Sequence, residues 1–570
     1  MSEHASPVPV GSQVAVPKPK PRLAIVGCGS SGLVTLKNAR DQLPDWEIVC
    51  FEKSDRITGC WGNPSPGFVS TSTKYTTQFA CFPLFDDSVS GDGVSDFRDF
   101  FCDGEYGDYL ESFATAFSLH SSIRCKTRVD QIRYVEASNE WQLKTRGLEP
   151  DDSPQRIEIF QAVIICTGLA ARARTIPPSR AQSANQASLR SETPRLLNNA
   201  QQIDEIENQT VVVIGGGESA VDFADRLSRP ERNNRVFLSL KSGIRVSPRY
   251  HPIHGVPSDF LRNRLMLSIH PDLRNWIGER FVKARIRYAD AFRRWFPTHK
   301  ASPSQQDEPQ SDRERKKNDW AMRLTRAAKD DLFNMFHNKS DRFLDSVADD
   351  RICIVGPAAD SLDTYFDFER ERTRKLCPDV VVPAIGYESC LEALSDSEIQ
   401  LSDFYLGCCH RRFRNLFLVG FARPIIGNVP TISEMQAKFA VKLLSGDCSL
   451  PIDFARQHDR DTSNQRMRFG KLNLAAIYPV EMIPYCDRLS RLMGDYPSLK
   501  RCGSLGAWFR VQLATSTTMH YELDDRSTRS RLSQAKVLMP PLFIVLLLML
   551  KPVDWSYRLL TWRRRAPKKV

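Results

Sequence analysis

At 570 residues the chain has room for two or three domains, and its 41% hydrophobic and 26% charged residues are those of a globular protein. The net charge of +11 gathers in "DRERKK" (312–317) and in the closing "TWRRRAPKKV". No recognition-helix, zinc-finger or RNA-binding motif accompanies these runs, so they read as solvated faces or tails and no nucleic-acid partner is expected. The 15 cysteines include no CxxC pair and no spaced Cys/His pattern, which argues against a metal site and for free thiols in a reducing compartment.

Residues 1–21 lack the apolar stretch of a signal peptide and read as a Pro-rich, disordered leader. The first patterned segment, "RLAIVGCGSSGLVTLKNA" (22–39), is an apolar strand, a turn and a helix start. Gly27, Gly29 and Gly32 have GxGxxG spacing, with Ser30 and Ser31 inside it. Such a turn presents backbone N–H groups and the helix's partial positive charge to a pyrophosphate. The next strand, "EIVCFEK", places Glu52 where a ribose hydroxyl needs an acceptor. Farther on, "GLEPDDSPQ" (147–155) reads as a hairpin or loop, and "AVIICTG" is a buried strand ending at Thr167 and Gly168.

After a polar stretch to about residue 209, "TVVVIGGGESAVDFA" (210–224) repeats the strand–turn–helix pattern. Gly215 and Gly217 hold the first two glycine positions and Ala220 the third, with Glu218 and Ser219 at the helix start. The following strand, "RVFLSLKSG", ends in Lys241, with Arg245 nearby, where the first unit has an acid. A cation there suits a 2′-phosphate and favours NADP over NAD; a solvent-facing lysine is the alternative. Two loops with opposite charges at the following strand ends predict two dinucleotides, FAD and a nicotinamide, with hydride passing between them.

"SPRYHPIHGVPSDFLRNR" (247–264) reads as a wall of the nicotinamide domain. Arg249 is a candidate phosphate or ribose contact there, and a Pro-containing loop explains His251 and His254 without a metal. Helical sequence follows over 272–296, then an exposed low-complexity insertion near 298–318. "PDVVVPAIGYES" and "NLFLVGFARP" are further short strands. Strands alternating with helices predict an α/β protein with parallel sheets and two Rossmann-like domains. Residues 447–536 carry no motif. The run "VLMPPLFIVLLLML" (537–550), followed by Trp, Tyr and cations, predicts a membrane-interface anchor over 537–570, with a buried C-terminal helix as the alternative.

In this order the motifs resemble the flavin-containing monooxygenase family of class B flavoprotein monooxygenases. The resemblance runs from about residue 22 to 446 and rests on "GCGSSG", "GCWG" (59–62), "CFPLF" (81–85), "ICTG", "GGGESA", "PAIGY" (383–387) and "PTISEMQAKFA" (430–440). It implies FAD and NADPH as cofactors, with Gly59, Trp61, Thr167, Gly168, Gly386 and Glu434 joining the cofactor set. It also implies an NADPH domain (169–374) inserted in a split FAD domain (22–168 and 375–446). The implied activity is insertion of one oxygen from O2 into a small organic substrate through a C4a-hydroperoxyflavin, on a cytosolic membrane face such as the endoplasmic reticulum; a buried C-terminal helix would make the protein cytoplasmic. Two departures matter. The family's Asn before the CFP-like segment is missing, with Lys74 at its place and Tyr75, Thr76 and Gln78 as nearby hydrogen-bonding groups; these four are the catalytic candidates. The FxGxxxHxxx fingerprint is also absent, with Arg190 and Ser191 nearest to it. Both leave N- or S-oxygenation, the favoured chemistry, open against Baeyer–Villiger oxidation. The alternatives are an NADPH-dependent flavin oxidase or reductase and a non-catalytic flavin-fold scaffold.

Overall fold

A computed structural model describes residues 19–62, 67–89, 97–148, 155–177, 194–197, 200–251, 255–289, 291, 312–395 and 398–565. Two parallel sheets dominate it. In the first, the strands run in the order Phe404–Tyr405, Cys409–His410, Leu416–Leu418, Ala162–Ile165, Arg22–Val26, Glu47–Phe51 and Ile123–Arg124. All pairs from Leu416–Leu418 to Ile123–Arg124 are parallel. Leu23, Ala24, Ile25, Val163 and Ile164 are wholly buried, because helices and loops cover both faces. In the second sheet the order is Arg195–Leu196, Val380–Pro383, Thr210–Ile214, Arg235–Ser239 and Ile352–Val355, again all parallel. The α/β architecture with two Rossmann-type sheets is therefore present.

In each sheet the order reverses at the strand that leads into a glycine loop. Arg22–Val26 lies between Glu47–Phe51 and Ala162–Ile165; Thr210–Ile214 lies between Arg235–Ser239 and Val380–Pro383. Ligands of open α/β sheets bind at such switch points, beyond the strands' carboxyl ends. All strands of the second sheet come from chain between Ala162–Ile165 and Leu416–Leu418 of the first. The expected boundary at residue 375 shifts: Val380–Pro383 bonds to Thr210–Ile214 and belongs to the second sheet.

Three other expectations change. Part of the predicted 298–318 loop, from 312 on, opens the helix Asp312–Arg326. Its cations pair with a neighbouring acidic surface, Arg313 with Asp345 and Asp349 and Lys317 with Asp345 at 2.9 Å, so the basic run is a docked helix face. Residues 298–311 lie outside the described set, as do 1–18, His254, Arg190 and Ser191. The motif-free 447–536 segment folds as helices including Phe454–Phe469, Met482–Met493 and Leu505–Leu513, and its strand Tyr478–Glu481 pairs with Ala422–Ile426. Arg264 fastens it to the second unit through Asp487 at 2.8 Å and the hydroxyl of Tyr521.

The C-terminal apolar run is the first part of a helix, Pro541–Arg565. Its inner side is bonded: Asp554 accepts from the backbone N–H of His270 at 2.6 Å and Asp272 from the hydroxyl of Tyr557 at 2.9 Å. Its outer side exposes Leu542, Val545, Met549, Val553, Trp555 and Leu560. Among the described residues no helix is long and apolar enough to cross a membrane.

Candidate functional site

The first glycine loop is shaped by contacts that leave no room for side chains. Gly27 has φ +98°, and a Cβ there would lie 2.9 Å from the Cys166 carbonyl oxygen; one on Gly32 would lie 1.9 Å from the Gly27 carbonyl oxygen. Gly29 caps the helix Ser30–Gln42 without any side-chain hydrogen bond, so the helix start is bare. Opposite it stands the short turn Gly59–Trp61, close enough that a Cβ on Gly59 would lie 3.0 Å from the Gly29 Cα. Trp61 packs edge-on against Tyr106 at 4.9 Å. Ser30 and Ser31 are buried, and Ser31 Oγ meets Ser433 Oγ at 2.9 Å, joining this helix to the helix Val429–Ser445.

Glu52 is buried beside the loop. Its carboxylate accepts from the backbone N–H of Cys28 at 2.8 Å and of Ser54 at 2.9 Å, which leaves lone pairs for a ribose hydroxyl. The buried hydroxyls of Thr58 and Thr167 have no partner. Buried hydroxyls in native proteins are paired. These orphans, the bare helix start and the glycine cradle fit a phosphate-bearing cofactor such as FAD. Gly168, at φ +72°, faces open space. Glu434, next to the Ser433 that bonds Ser31, is fully buried and accepts from the backbone N–H groups of Ala80 (3.0 Å) and Cys81 (3.4 Å), which fixes the CFP-like loop.

The second loop has the same covalent plan and a different surface. A Cβ on Gly215 would lie 2.2 Å from the Ala384 carbonyl oxygen, and Ala220 is buried. Gly217 caps the helix Glu218–Leu227 in extended conformation, with nothing within 4 Å of an added Cβ. Gly216, Gly217, Glu218 and Lys241 are exposed, and Ser219 is half-buried. The Lys241 carbonyl accepts from the Arg370 guanidinium, which brings a second cation to this strand end. Sequence reasoning missed Arg370 because 129 residues separate the two. This open cradle with a cationic rim fits a nicotinamide dinucleotide carrying a 2′-phosphate. Gly386, at φ +95°, follows the Ala384 whose carbonyl abuts Gly215 and precedes a short pairing of Tyr387–Glu388 with Arg172–Ala173.

Between the loops, the four catalytic candidates separate. Lys74 pairs with Glu105 at 3.0 Å. Tyr75 is buried against Phe260, and that burial pushes its phenol well up. Gln78 spends its amide on Phe85, donating to its carbonyl at 2.7 Å and accepting from its N–H at 2.8 Å. Only Thr76 lines an interior cavity, where its hydroxyl donates to Asp259 Oδ2 at 2.7 Å. The polar atoms of Lys74 and Gln78 already have local partners. Arg249 is likewise engaged: it pairs with Asp341 at 3.0 Å and donates to the carbonyls of Val69 and Ser70, clamping the second unit to the first. No group of three metal-ligating side chains occurs among the described residues.

Asp259 is the site residue that sequence patterns did not single out. Its Oδ2 also accepts from the N–H and hydroxyl of Thr73 at 2.9 and 3.0 Å. Burial would raise its pKa, but nearby Lys339, the Thr73 N–H, Arg262 and the Thr76 hydroxyl hold it below the usual carboxylate value. Burial in turn holds the Lys339 ammonium down at about 8. From Thr76 the contacts continue to Asn428, whose amide donates to the Thr76 carbonyl at 2.8 Å and caps the helix bearing Ser433. Asn428 and Ser433 thus tie the Thr76–Asp259 cluster to the first loop's helix.

A family model described as flavin-binding monooxygenase-like matches residues 20–310. The chain belongs to this family. As a flavin-binding monooxygenase-like protein it is 24% identical over 496 residues to dimethylaniline monooxygenase (N-oxide-forming) 2 of Rattus norvegicus, covering 84% of this chain and 83% of the relative. To flavin-containing monooxygenase 1 of Homo sapiens it is 24% identical over 505 residues, covering 84% of each. Among solved structures, the closed form of cyclohexanone monooxygenase shares the fold with a TM-score of 0.54 at 14% identity, covering 83% of this chain and 97% of that one. The S-allyl-L-cysteine S-oxygenase of Allium sativum does so with 0.51 at 17%, covering 84% and 89%. The protein is a flavoprotein monooxygenase, and its cofactors are FAD and NADPH.

Proposed function

We propose that the enzyme transfers one oxygen atom from O2 to a nitrogen or sulfur nucleophile of a small organic molecule, with FAD at the first loop and NADPH at the second. Bound there, FAD would supply the hydride-accepting, O2-reactive ring and NADPH the reducing equivalents. The chain's own residues bind, orient and exclude water. Backbone N–H groups around Gly27, Gly29, Ser30, Ser31 and Gly32 take the flavin's pyrophosphate, and Glu52 its ribose. Gly59, Trp61, Thr167 and Gly168 close over that cradle. Gly215, Gly217, Glu218, Ser219 and Ala220 take the nicotinamide's pyrophosphate, and Lys241 with Arg370 its 2′-phosphate. The flavin unit comprises 22–168 and the chain from Ala384 to residue 446, with the nicotinamide unit between them.

The observation that carries this reading is the pair of glycine cradles, each at the switch point of a parallel sheet, the first with the buried acceptor Glu52 beside it and the second with Lys241 and Arg370 at its rim. The 447–536 segment closes one side of the Thr76–Asp259 cavity with Met482 and Ser516 and packs beside it through Thr515 Oγ1 to the Phe260 carbonyl at 3.0 Å, a cover suited to excluding water. The exposed stripe on Pro541–Arg565 and the basic residues that end the chain support a helix lying on an anionic membrane surface.

Turnover of a tertiary amine, a thioether and cyclohexanone under 18O2 tests the reaction. Labelled N-oxide or sulfoxide is expected. Lactone formation would assign Baeyer–Villiger chemistry, and hydrogen peroxide equal to the NADPH consumed would assign an oxidase.

A further inference from the structure

The chain that follows Leu416–Leu418 reaches toward both glycine loops. At one end Ser433 meets Ser31 of the first loop's helix, on a helix capped by Asn428. At the other end Arg423, in the strand Ala422–Ile426, stacks its guanidinium on the ring of Phe336, 3.9 Å from the centroid. Phe336 belongs to the second unit and stands just ahead of Asn338, whose amide donates to the Gly216 carbonyl at 2.9 Å. The stack therefore sets a cation of the flavin unit beside the second glycine loop.

Stacking occupies the face of a guanidinium and leaves its N–H edge for an acceptor in its plane. No hydrogen bond or ion pair engages that edge among the described residues, and Arg423 is open to solvent. Burial by the surrounding walls still draws its pKa down, against the charge of Glu218 at the start of the second loop's helix. Arg423 is thus accessible yet enclosed, as a residue on a crevice wall is. The other charges nearby cancel. Lys339 offsets Glu218, Asp341 pairs with Arg249 at 3.0 Å, and Arg262 offsets Asp259, which leaves Arg423 as the cation in surplus. Lys241 and Arg370 stand at the strand end suited to a 2′-phosphate, and the two phosphates that join the halves of the dinucleotide still need a side-chain cation.

We propose that Arg423 binds the bridging diphosphate of the nicotinamide dinucleotide, so that a nucleotide seated on the second unit is also held by the flavin unit. The proposal rests on the reading of the second loop given above. A phosphate oxygen accepts from the N–H edge while Phe336 fixes the plane of the guanidinium.

Calorimetric titration of the flavin-loaded enzyme tests this. NADP+ and NAD+ carry the diphosphate; adenosine 2′-phosphate, read by competition with NADP+, lacks it. Arg423→Ala is expected to weaken NADP+ and NAD+ by the same factor, roughly tenfold, the loss of one charge-assisted hydrogen bond, and to leave adenosine 2′-phosphate unchanged. Lys241→Ala is expected to give the opposite pattern, weakening NADP+ and adenosine 2′-phosphate and sparing NAD+. Arg423→Gln decides if the alanine variant loses its flavin or its wild-type Tm. Wild-type affinity for both dinucleotides in these variants would overturn the proposal. So would a loss confined to NADP+, which would put Arg423 at the 2′-phosphate, or an equal loss for adenosine 2′-phosphate, which would mark a disturbed loop. A wild-type enzyme that holds flavin and binds no NADP+ would overturn the nucleotide reading itself, and this inference with it.

Discussion

The two glycine loops share a plan and differ in access. At the first, Glu52 is tied to the loop backbone, Gly59 closes over Gly29, and the helix start is buried. At the second, Gly216, Gly217, Glu218 and Lys241 face solvent, and an added Cβ on Gly217 meets nothing. A buried cradle suits a prosthetic group that stays through many turnovers. An open one suits a co-substrate that enters and leaves in each. The same turn is therefore used for retention at one sheet and for exchange at the other.

The largest break in that comparison should come from paired alanines. Gly32→Ala drives a Cβ into the Gly27 carbonyl, a clash on the order of 3 kcal/mol that cannot relax without moving the loop. The purified variant should be colourless, with a lowered Tm. Gly217→Ala meets no protein atom at an unstrained φ, so its absorption spectrum and Tm should match wild type, while its NADPH KM should rise because the added Cβ lies where the pyrophosphate approaches the loop. A colourless Gly217→Ala would erase the distinction.

Next, Glu52→Ala strands the Cys28 and Ser54 N–H groups, each worth about 1–3 kcal/mol when left unsatisfied. Its flavin should be lost on gel filtration, where wild type keeps it. Lys241→Ala should raise the NADPH KM roughly tenfold and leave NADH unaffected, as loss of a charge-assisted phosphate contact does. Equal effects on both nucleotides would remove the 2′-phosphate assignment.

What the sequence shows of these loops follows from their locality. Gly27 to Glu52 and Gly215 to Lys241 lie within one strand–turn–helix–strand each, so spacing alone carries the geometry. The contacts between the units do not: Thr76 and Asp259 are 183 residues apart, and Lys241 and Arg370 129. Of the run Lys74 to Gln78, only Thr76 opens on the cavity. Glu105 and Phe85 occupy the polar atoms of Lys74 and Gln78, and no periodicity foretells that. The run "DRERKK" misled for a similar reason. Its docking surface, Asp345 and Asp349, comes later in the chain.

A smaller effect sharpens the account of the crevice. The folded-state pKa of Lys339, about 8, lies below its ordinary 10.5, so between those values the unfolded chain binds more protons and stability rises with pH. Below about 8 the full cost of the buried cation remains. Lys339→Met should therefore raise Tm at pH 7 and lose that rise above pH 8, as thermal unfolding across pH would record; a variant less stable at pH 7 would contradict an unpartnered cation. Smallest for catalysis, replacing Leu542, Met549 and Trp555 by Ser should cut cosedimentation with anionic vesicles while turnover in solution stays near wild type. Undiminished cosedimentation would exclude the exposed stripe as the membrane contact.

The comparison of the loops is tested most directly by mixing the gel-filtered protein with NADPH under anaerobic conditions and following its visible absorbance. The structure predicts a yellow protein that retains its flavin and bleaches far faster with NADPH than with NADH. A protein that is colourless, or whose flavin stays oxidised in NADPH, would contradict one cradle for a retained flavin and a second for an exchanging NADPH.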